Sequence, residues 1–181
     1  MNVTYEHKPA MTFIGFSTSI RPEEGYRKCP EFWDKEYSQK YARLWQTMQP
    51  ETPVEEAILE NGIGMFAICD EKEGSFEYWI AGLYKGGQVP EGLKLYTFPE
   101  SDWAMFSAKG ALPKSLQDLN TQVWQEWYPK EGQKYRGMAT PCWRSTPPAI
   151  CKARITSAAS GCRFARVSVR TSRKQPRSFR L

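Results

Sequence analysis

Two helical segments alternate with pairs of strand segments along this chain, and this alternation limits the folds that it can adopt. The first helix is predicted from Pro30, because proline fits the first turn of a helix, and it ends before Pro50 and Pro53. Its apolar positions recur at spacings of three and four, at Trp33, Tyr37, Tyr41, Leu44, Trp45 and Met48. A second run of this kind, stopped by Pro129, comprises Leu112, Leu116, Leu119, Val123 and Trp127.

Short β-prone runs separated by turn residues surround these helices. The predicted strands are Thr12–Ser19, Gly64–Asp70, Phe76–Tyr84, Leu93–Phe98 and Trp103–Lys109. Single helices between strand pairs predict an α+β fold with an antiparallel sheet, not a doubly wound parallel one. The repeat of about 80 residues is too long for a solenoid. It indicates an internal duplication.

Charge divides the chain unevenly. Residues 1–141 carry 15 Lys and Arg against 20 Asp and Glu, whereas residues 142–181 carry ten Lys and Arg and no acid. The last segment also lacks hydrophobic periodicity, except for a candidate strand at Phe164–Val169, and such composition is typical of disordered chain. We therefore predict a domain over 1–143 and a basic Arg- and Ser-rich tail over 144–181.

Several classes of protein do not fit this sequence. No apolar run approaches the roughly 20 residues that span a bilayer, and the start of the chain is polar, so a cytoplasmic protein without membrane contact is expected. The five cysteines form no C-x-x-C pair and His7 is the single histidine. Reduced thiols are therefore expected, with no metal, no cofactor and no Ser-His-Asp catalysis.

Four short motifs occur in an order that resembles a known family. They are F-I-G-F-S-T near the start, F-E-Y-W-I-A-G at Phe76–Gly82, A-M-F-S-A-K-G at Ala104–Gly110 and W-Q-E-W-Y-P at Trp124–Pro129. Together they resemble the GyrI-like small-molecule-binding family, the effector-binding domain of AraC- and MerR-type regulators, over about residues 8–141. The resemblance implies duplicated β-α-β-β modules with an aromatic ligand cleft between the halves. It also implies lipophilic, often cationic ligands.

The resemblance fails at the carboxyl end, where the family has an E-V-Y-P-P-G-D stretch and a last strand whose Glu pairs with cationic ligands. No acid follows Glu131 here. Codons for Arg144–Thr156, read in a shifted frame, permit that family stretch, and codons for Ala158–Phe164 permit Trp-Met-Pro-Val. The sequence thus predicts a frameshifted translation from about residue 144 and a second module without its last strands; a genuine basic tail is the alternative.

The expected function is non-catalytic binding of a small lipophilic, cationic ligand for sensing or sequestration. The resemblance suggests Tyr78 as the first ligand-binding residue, and Ile80 shares its strand face at period two. The other predicted wall residues are Trp33, Tyr37, Trp103 and Phe106. Trp103 and Phe106 have opposite parity on one strand, so at least one of them is expected in the core. A second copy of the chain is a further partner that an open sheet edge would accept.

Two other functions stay open at this stage. A hydrolase of a reactive small molecule would need a carboxylate that activates water, and Glu77 is the nearest candidate, although strand alternation points it away from the face of Tyr78. The ten basic residues of the tail would hold nucleic acid nonspecifically, through phosphate contacts that weaken with salt.

Overall fold

The computed structural model describes residues 3–108, 114–131, 142–145 and 162–165. Eight strands form one sheet: β1 Val3–Lys8, β2 Met11–Ile20, β3 Phe66–Lys72, β4 Ser75–Leu83, β5 Lys94–Phe98, β6 Ser101–Ala108, β7 Cys142–Ser145 and β8 Cys162–Ala165. The helices are α1 Gly25–Glu31, α2 Ala42–Thr47, α3 Pro53–Asn61, α4 Lys114–Gln122 and α5 Tyr128–Lys130, with π-helical stretches at Phe32–Gln39 and Val123–Trp127. The predicted α+β fold with an antiparallel sheet is confirmed.

The strand order is symmetric about the centre of the sheet. It runs β1-β6-β8-β7-β3-β4-β2-β5, with every described pairing antiparallel. Outward from the central β7–β3 pair, which we call the seam, one half reads β3, β4, β2, β5 and the other β7, β8, β6, β1. This order is what two β-α-β-β units joined at their middle strands would produce; sequence duplication itself stays a prediction.

One row of register partners shows that the helices of both halves lie on the same face of the sheet. The row passes from Phe106 through Phe164, Arg144 and Ala67 to Ile80, and cross-strand partners share a face. Ile80 packs under the first helices, and the Phe106 ring lies 4.9 Å from that of Trp127. We call this side the helix face.

The opposite face closes on itself to form a core. The sheet bends so that Phe98 of β5 and Trp103 of β6, strands far apart in the order, have ring centroids 5.1 Å apart. The buried members of this cluster are Phe13, Ile68, Trp79, Ala81, Phe98, Trp103 and Met105. Burial of a large apolar side chain contributes roughly 1.5–3 kcal/mol, so this cluster is a main source of stability.

The first helical run begins earlier than predicted and contains a wide turn. Its inward side carries Tyr37, Tyr41 and Leu44, each at most 7% exposed, as the spacing of three and four predicts. A separate helix, α3, then begins at Pro53, where the sequence predicted only a stop. Thr52 caps α3, accepting a hydrogen bond at Oγ1 from the backbone N–H of Glu55 at 3.2 Å.

The carboxyl-terminal region differs from expectation in one respect. The second half was predicted to lack its last strands, yet β7 pairs with β3 and β8 pairs with β6 and β7. Backbone pairing of four residues requires only an extended local conformation, which the local sequences C-W-R-S and C-R-F-A permit. The boundary at 143/144 and the shifted frame stay predictions, since most of 144–181 lies outside the described residues. No helix in the described part of the chain is long and apolar enough to cross a membrane.

Candidate functional site

The candidate site is a set of half-buried apolar side chains on the helix face beside the seam. Buried Ile20, Ala67 and Tyr78 form its base, and partly buried side chains pack against them: Cys29, Phe32, Trp33, Cys69 and Phe76. We call these eight residues the seam cluster. Aromatic side chains left partly exposed at one place are typical of ligand and partner sites, whereas the cluster on the opposite face is almost fully enclosed.

A hydrogen bond joins the helical wall of the site to its base. Trp33 Nε1 donates to the Tyr78 hydroxyl oxygen at 2.8 Å. The wall residue comes from the π-helical stretch and the base residue from β4, so the bond ties the first helices to the central strands. The sequence predicted both residues for the site, and the structure brings them together.

Two further rings surround the Tyr78 ring edge-on. The Phe32 and Phe76 centroids lie 6.4 Å and 6.3 Å from it, with interplanar angles of 68° and 90°. Edge-to-face pairs of this kind are a preferred packing of aromatic rings, and Phe32 and Phe76 themselves stay partly exposed. Sequence reasoning missed both residues, although Phe76 has the same strand parity as Tyr78 and Ile80 and therefore carried a usable signal.

Tyr37 and Ile80 lie deeper than the seam cluster. They belong to the core beneath α2 and α3, at 5% and 0% exposure. The Tyr37 hydroxyl donates to the backbone carbonyl of Ile63. Burial, and to a lesser degree the neighbouring Tyr41, raises the pKa of Tyr37 well above its ordinary value near 10. The ring of Tyr37 still contacts that of Trp33, 5.6 Å away, so it supports the wall from behind.

The last two predicted site residues lie elsewhere. Trp103 is fully enclosed in the core on the opposite face, and Phe106 is buried beneath Trp127 in the other half. The two residues have opposite parity on β6 and therefore lie on opposite faces of the sheet, as predicted. Both belong to the buried core. The ligand-binding role of all six predicted residues stays a prediction; the structure groups Tyr78 and Trp33, with Tyr37 and Ile80 behind them.

The start of α1 lies close to the site, because a Cβ on Gly25 would be 3.1 Å from Cζ of Phe76. The neighbouring carboxylate of Glu24 is already paired. The hydrogen bond from Lys28 at 2.9 Å, together with the charges of Lys28, Arg21 and Arg27, lowers its pKa.

The carboxylate proposed for hydrolysis lies on the wrong face. Glu77 pairs in register with Asp70, and both have the strand parity of Trp79 and Ile68 rather than that of Tyr78. A hydrogen bond and the charge from Asp70, with a further contribution from Glu77, raise the pKa of Lys72. These three charged groups therefore form a separate cluster on the opposite face of the sheet, where Asp70 is buried, and nothing in their placement favours catalysis at the seam.

A concavity lies away from the seam cluster. It encloses about 530 Å³ between α3 and the β4–β5 loop, with Glu56, Glu60 and Glu91 at its lining. These acidic side chains are exposed to solvent, so the groove has no enclosed recognition element. Within the described residues, no three His, Cys, Asp or Glu side chains are grouped closely enough to hold a metal ion.

The family comparison gives the class of protein that has this symmetric antiparallel sheet: an effector-binding protein. The chain belongs to the Cass2 family, described as integron-associated effector binding protein, whose model matches residues 4–142. The match ends beside the predicted boundary at 143/144. None of the curated proteins matches the chain significantly.

Solved structures share the fold at low sequence identity. SAV2435, in a structure bound to tetraphenylphosphonium, is 17% identical with a TM-score of 0.67, covering 91% of this chain and 92% of that chain. An integron cassette protein from Vibrio cholerae is 13% identical with a TM-score of 0.56, covering 93% and 95%. The C-terminal domain of EcmrR is 12% identical with a TM-score of 0.53, covering 91% and 94%.

Proposed function

We propose that this chain binds small lipophilic cations without catalysing a reaction, at the seam cluster. The observation that carries the proposal is the group of partly exposed rings around Tyr78, held in place by the 2.8 Å bond from Trp33. Ring faces attract cations through their quadrupole, and a cation desolvated against them gains about 2 kcal/mol.

The relatives support the same class of ligand. The family is described as effector-binding, and SAV2435 was solved with a lipophilic cation, tetraphenylphosphonium. These similarities support the fold and the kind of ligand. Because the sequence identities are low, the ligand-binding residues are inferred from this chain alone.

Titration of the full chain with a panel of flat, dye-like cations, followed by tryptophan fluorescence, tests the proposal. We expect saturable quenching because Trp33 lies in the cluster. We also expect each cation to bind more tightly than a neutral analogue of the same shape, because ring faces attract positive charge. A flat response across the panel would refute the function, and equal affinities for the charged and neutral members would refute the preference for cations alone.

A further inference from the structure

The seam cluster carries two thiols as well as its aromatic rings. Cys29 of α1 and Cys69 of β3 are both half-buried, both pack against the base of the cluster, and neither is in a disulfide. Cys69 is the direct cross-strand partner of Tyr78. One thiol therefore belongs to the wall of the site and the other to its base.

This placement differs from that of an ordinary core cysteine. Structural cysteines are inert because they are enclosed, whereas partly exposed thiols react when they can form the thiolate. The rings around Tyr78 would concentrate flat apolar molecules beside both sulfur atoms, and a positioned reactant pair gains effective concentration. Recognition and nucleophile are thus present in one cluster.

We propose that the seam cluster is a covalent capture site for aromatic electrophiles, with Cys29 and Cys69 as the acceptor thiols. This inference rests on the proposed ligand site but adds a reaction that cation binding does not require. The compounds in question are flat and contain an electron-poor carbon–carbon double bond conjugated to a carbonyl.

The reaction needs no further reagent. The sulfur of a thiolate adds to the electron-poor carbon, a carbon–sulfur bond forms and the π bond of the alkene breaks. The electron pair moves to the carbonyl-conjugated position, where the proton that the thiol released is taken up. The adduct contains every atom of both reactants, and its stable thioether changes a reversible sensor into a permanently occupied one.

Two maleimides that differ in one substituent test this inference on the full chain. N-phenylmaleimide and N-ethylmaleimide share the reactive group, and their rates with glutathione correct for intrinsic reactivity. Peptide mass mapping then gives the rate at each of the five cysteines. We expect a phenyl preference of about tenfold at Cys29 or Cys69, since the phenyl ring can pack against the aromatic rings of the cluster, and no preference at Cys151 or Cys162.

Variants separate recognition from chemistry. The double substitution of Cys29→Ser with Cys69→Ser should abolish the phenyl-selective adduct, and Trp33→Leu should remove the preference while N-ethylmaleimide still reacts. A saturating concentration of tetraphenylphosphonium should slow the phenyl reaction at these thiols.

The two proposals fail in different ways. Equal corrected rates for both maleimides, or a phenyl preference confined to the other cysteines, would overturn the capture site even where the cation still binds. If the cation binds but the reaction rates of Cys29 and Cys69 do not change, the cation binds elsewhere. The proposal that ligand and thiols share one site would then be wrong. Absence of both cation binding and phenyl preference would overturn both proposals.

Discussion

At the residue scale, the bond between Trp33 and Tyr78 holds the site together. Tyr78→Phe keeps the ring but removes the acceptor of the Trp33 N–H, so we expect the free energy of unfolding to fall by about 1 kcal/mol. Urea unfolding of both proteins measures this change. Tyr26, which is 99% exposed, supplies the control Tyr26→Phe, which should change nothing. A Tyr78→Phe protein as stable as the wild type would mean that the bond does not support the fold.

The buried hydroxyl of Tyr37 makes stability depend on alkaline pH. Its pKa is raised in the folded state by burial, so the folded chain holds its proton more tightly than the unfolded chain. The stabilising contribution is complete below about pH 10, the unfolded value, and is lost as the pH rises above it. Urea midpoints measured from pH 8 to pH 11 should therefore fall less steeply in Tyr37→Phe than in the wild type.

Tyr41, whose pKa burial also raises, accounts for the slope that should persist in that variant. Near neutral pH, Tyr37→Phe should itself be less stable by about 1 kcal/mol, because the Ile63 carbonyl loses its donor. Parallel curves for the two proteins between pH 8 and pH 11 would contradict the proposed cause.

At the element scale, periodicity predicted the main helix and five strands, within a few residues at most ends, but it missed α3 and β1. The prolines at 50 and 53 were interpreted as stops, whereas Pro53 occupies the first turn of α3. The capping signature Thr52-Pro53-Val54-Glu55 was available and its bond is present. Val3–Lys8 is an edge strand, and an edge strand lacks the continuous apolar pattern that identifies interior strands.

The site was only partly predictable for a related reason. β4 is buried on both faces from Tyr78 to Gly82, so its apolar run does not reveal which face meets a ligand. The family resemblance indicated the strand face that carries Tyr78, and in the structure this face is the helix face. Cys29, Phe32 and Cys69 join the cluster through tertiary packing, for which no local pattern existed.

The turn that leads from α3 into β3 restricts substitution more than the β3–β4 hairpin turn does. Gly64 and Gly74 both have positive φ, but a Cβ on Gly64 would collide with the Tyr37 ring while one on Gly74 meets nothing within 4 Å. Gly74→Ala should cost about 1 kcal/mol for the left-handed backbone, and Gly64→Ala about 3 kcal/mol because overpacking adds to it. Thermal unfolding gives both values; equal costs would show that the Tyr37 ring yields without penalty.

At the scale of the whole molecule, the two halves of the described sheet share backbone hydrogen bonds only through the β3–β7 pair, and β8 joins β7 to β6. Removal of residues 142–181 should expose the edges of β3 and β6, lower the unfolding midpoint and promote aggregation. Removal of 166–181 alone keeps all eight strands and should leave the midpoint unchanged. A 1–141 protein that unfolds at the same midpoint as the full chain would show that β7 and β8 contribute no stability.

Removal of residues 166–181 also tests the alternative that the basic tail binds nucleic acid. Residues 166–181 carry six Lys and Arg and no acid, so their removal should weaken retention on DNA at low salt. Retention by the full chain should fade as salt approaches roughly 0.2 M. Sequence-selective binding that survives there would contradict a merely electrostatic tail.

Calorimetry with tetraphenylphosphonium on two matched variants shows whether a lipophilic cation binds at the seam cluster. Trp33 belongs to the cluster, whereas Trp45, 37% exposed on α2 of the same helical run, lies outside it. We predict that Trp33→Leu weakens binding about tenfold, as expected for loss of an aromatic contact worth up to about 1.5 kcal/mol, and that Trp45→Leu leaves the Kd unchanged. An unchanged Kd in Trp33→Leu, or weakening by Trp45→Leu alone, would contradict the account.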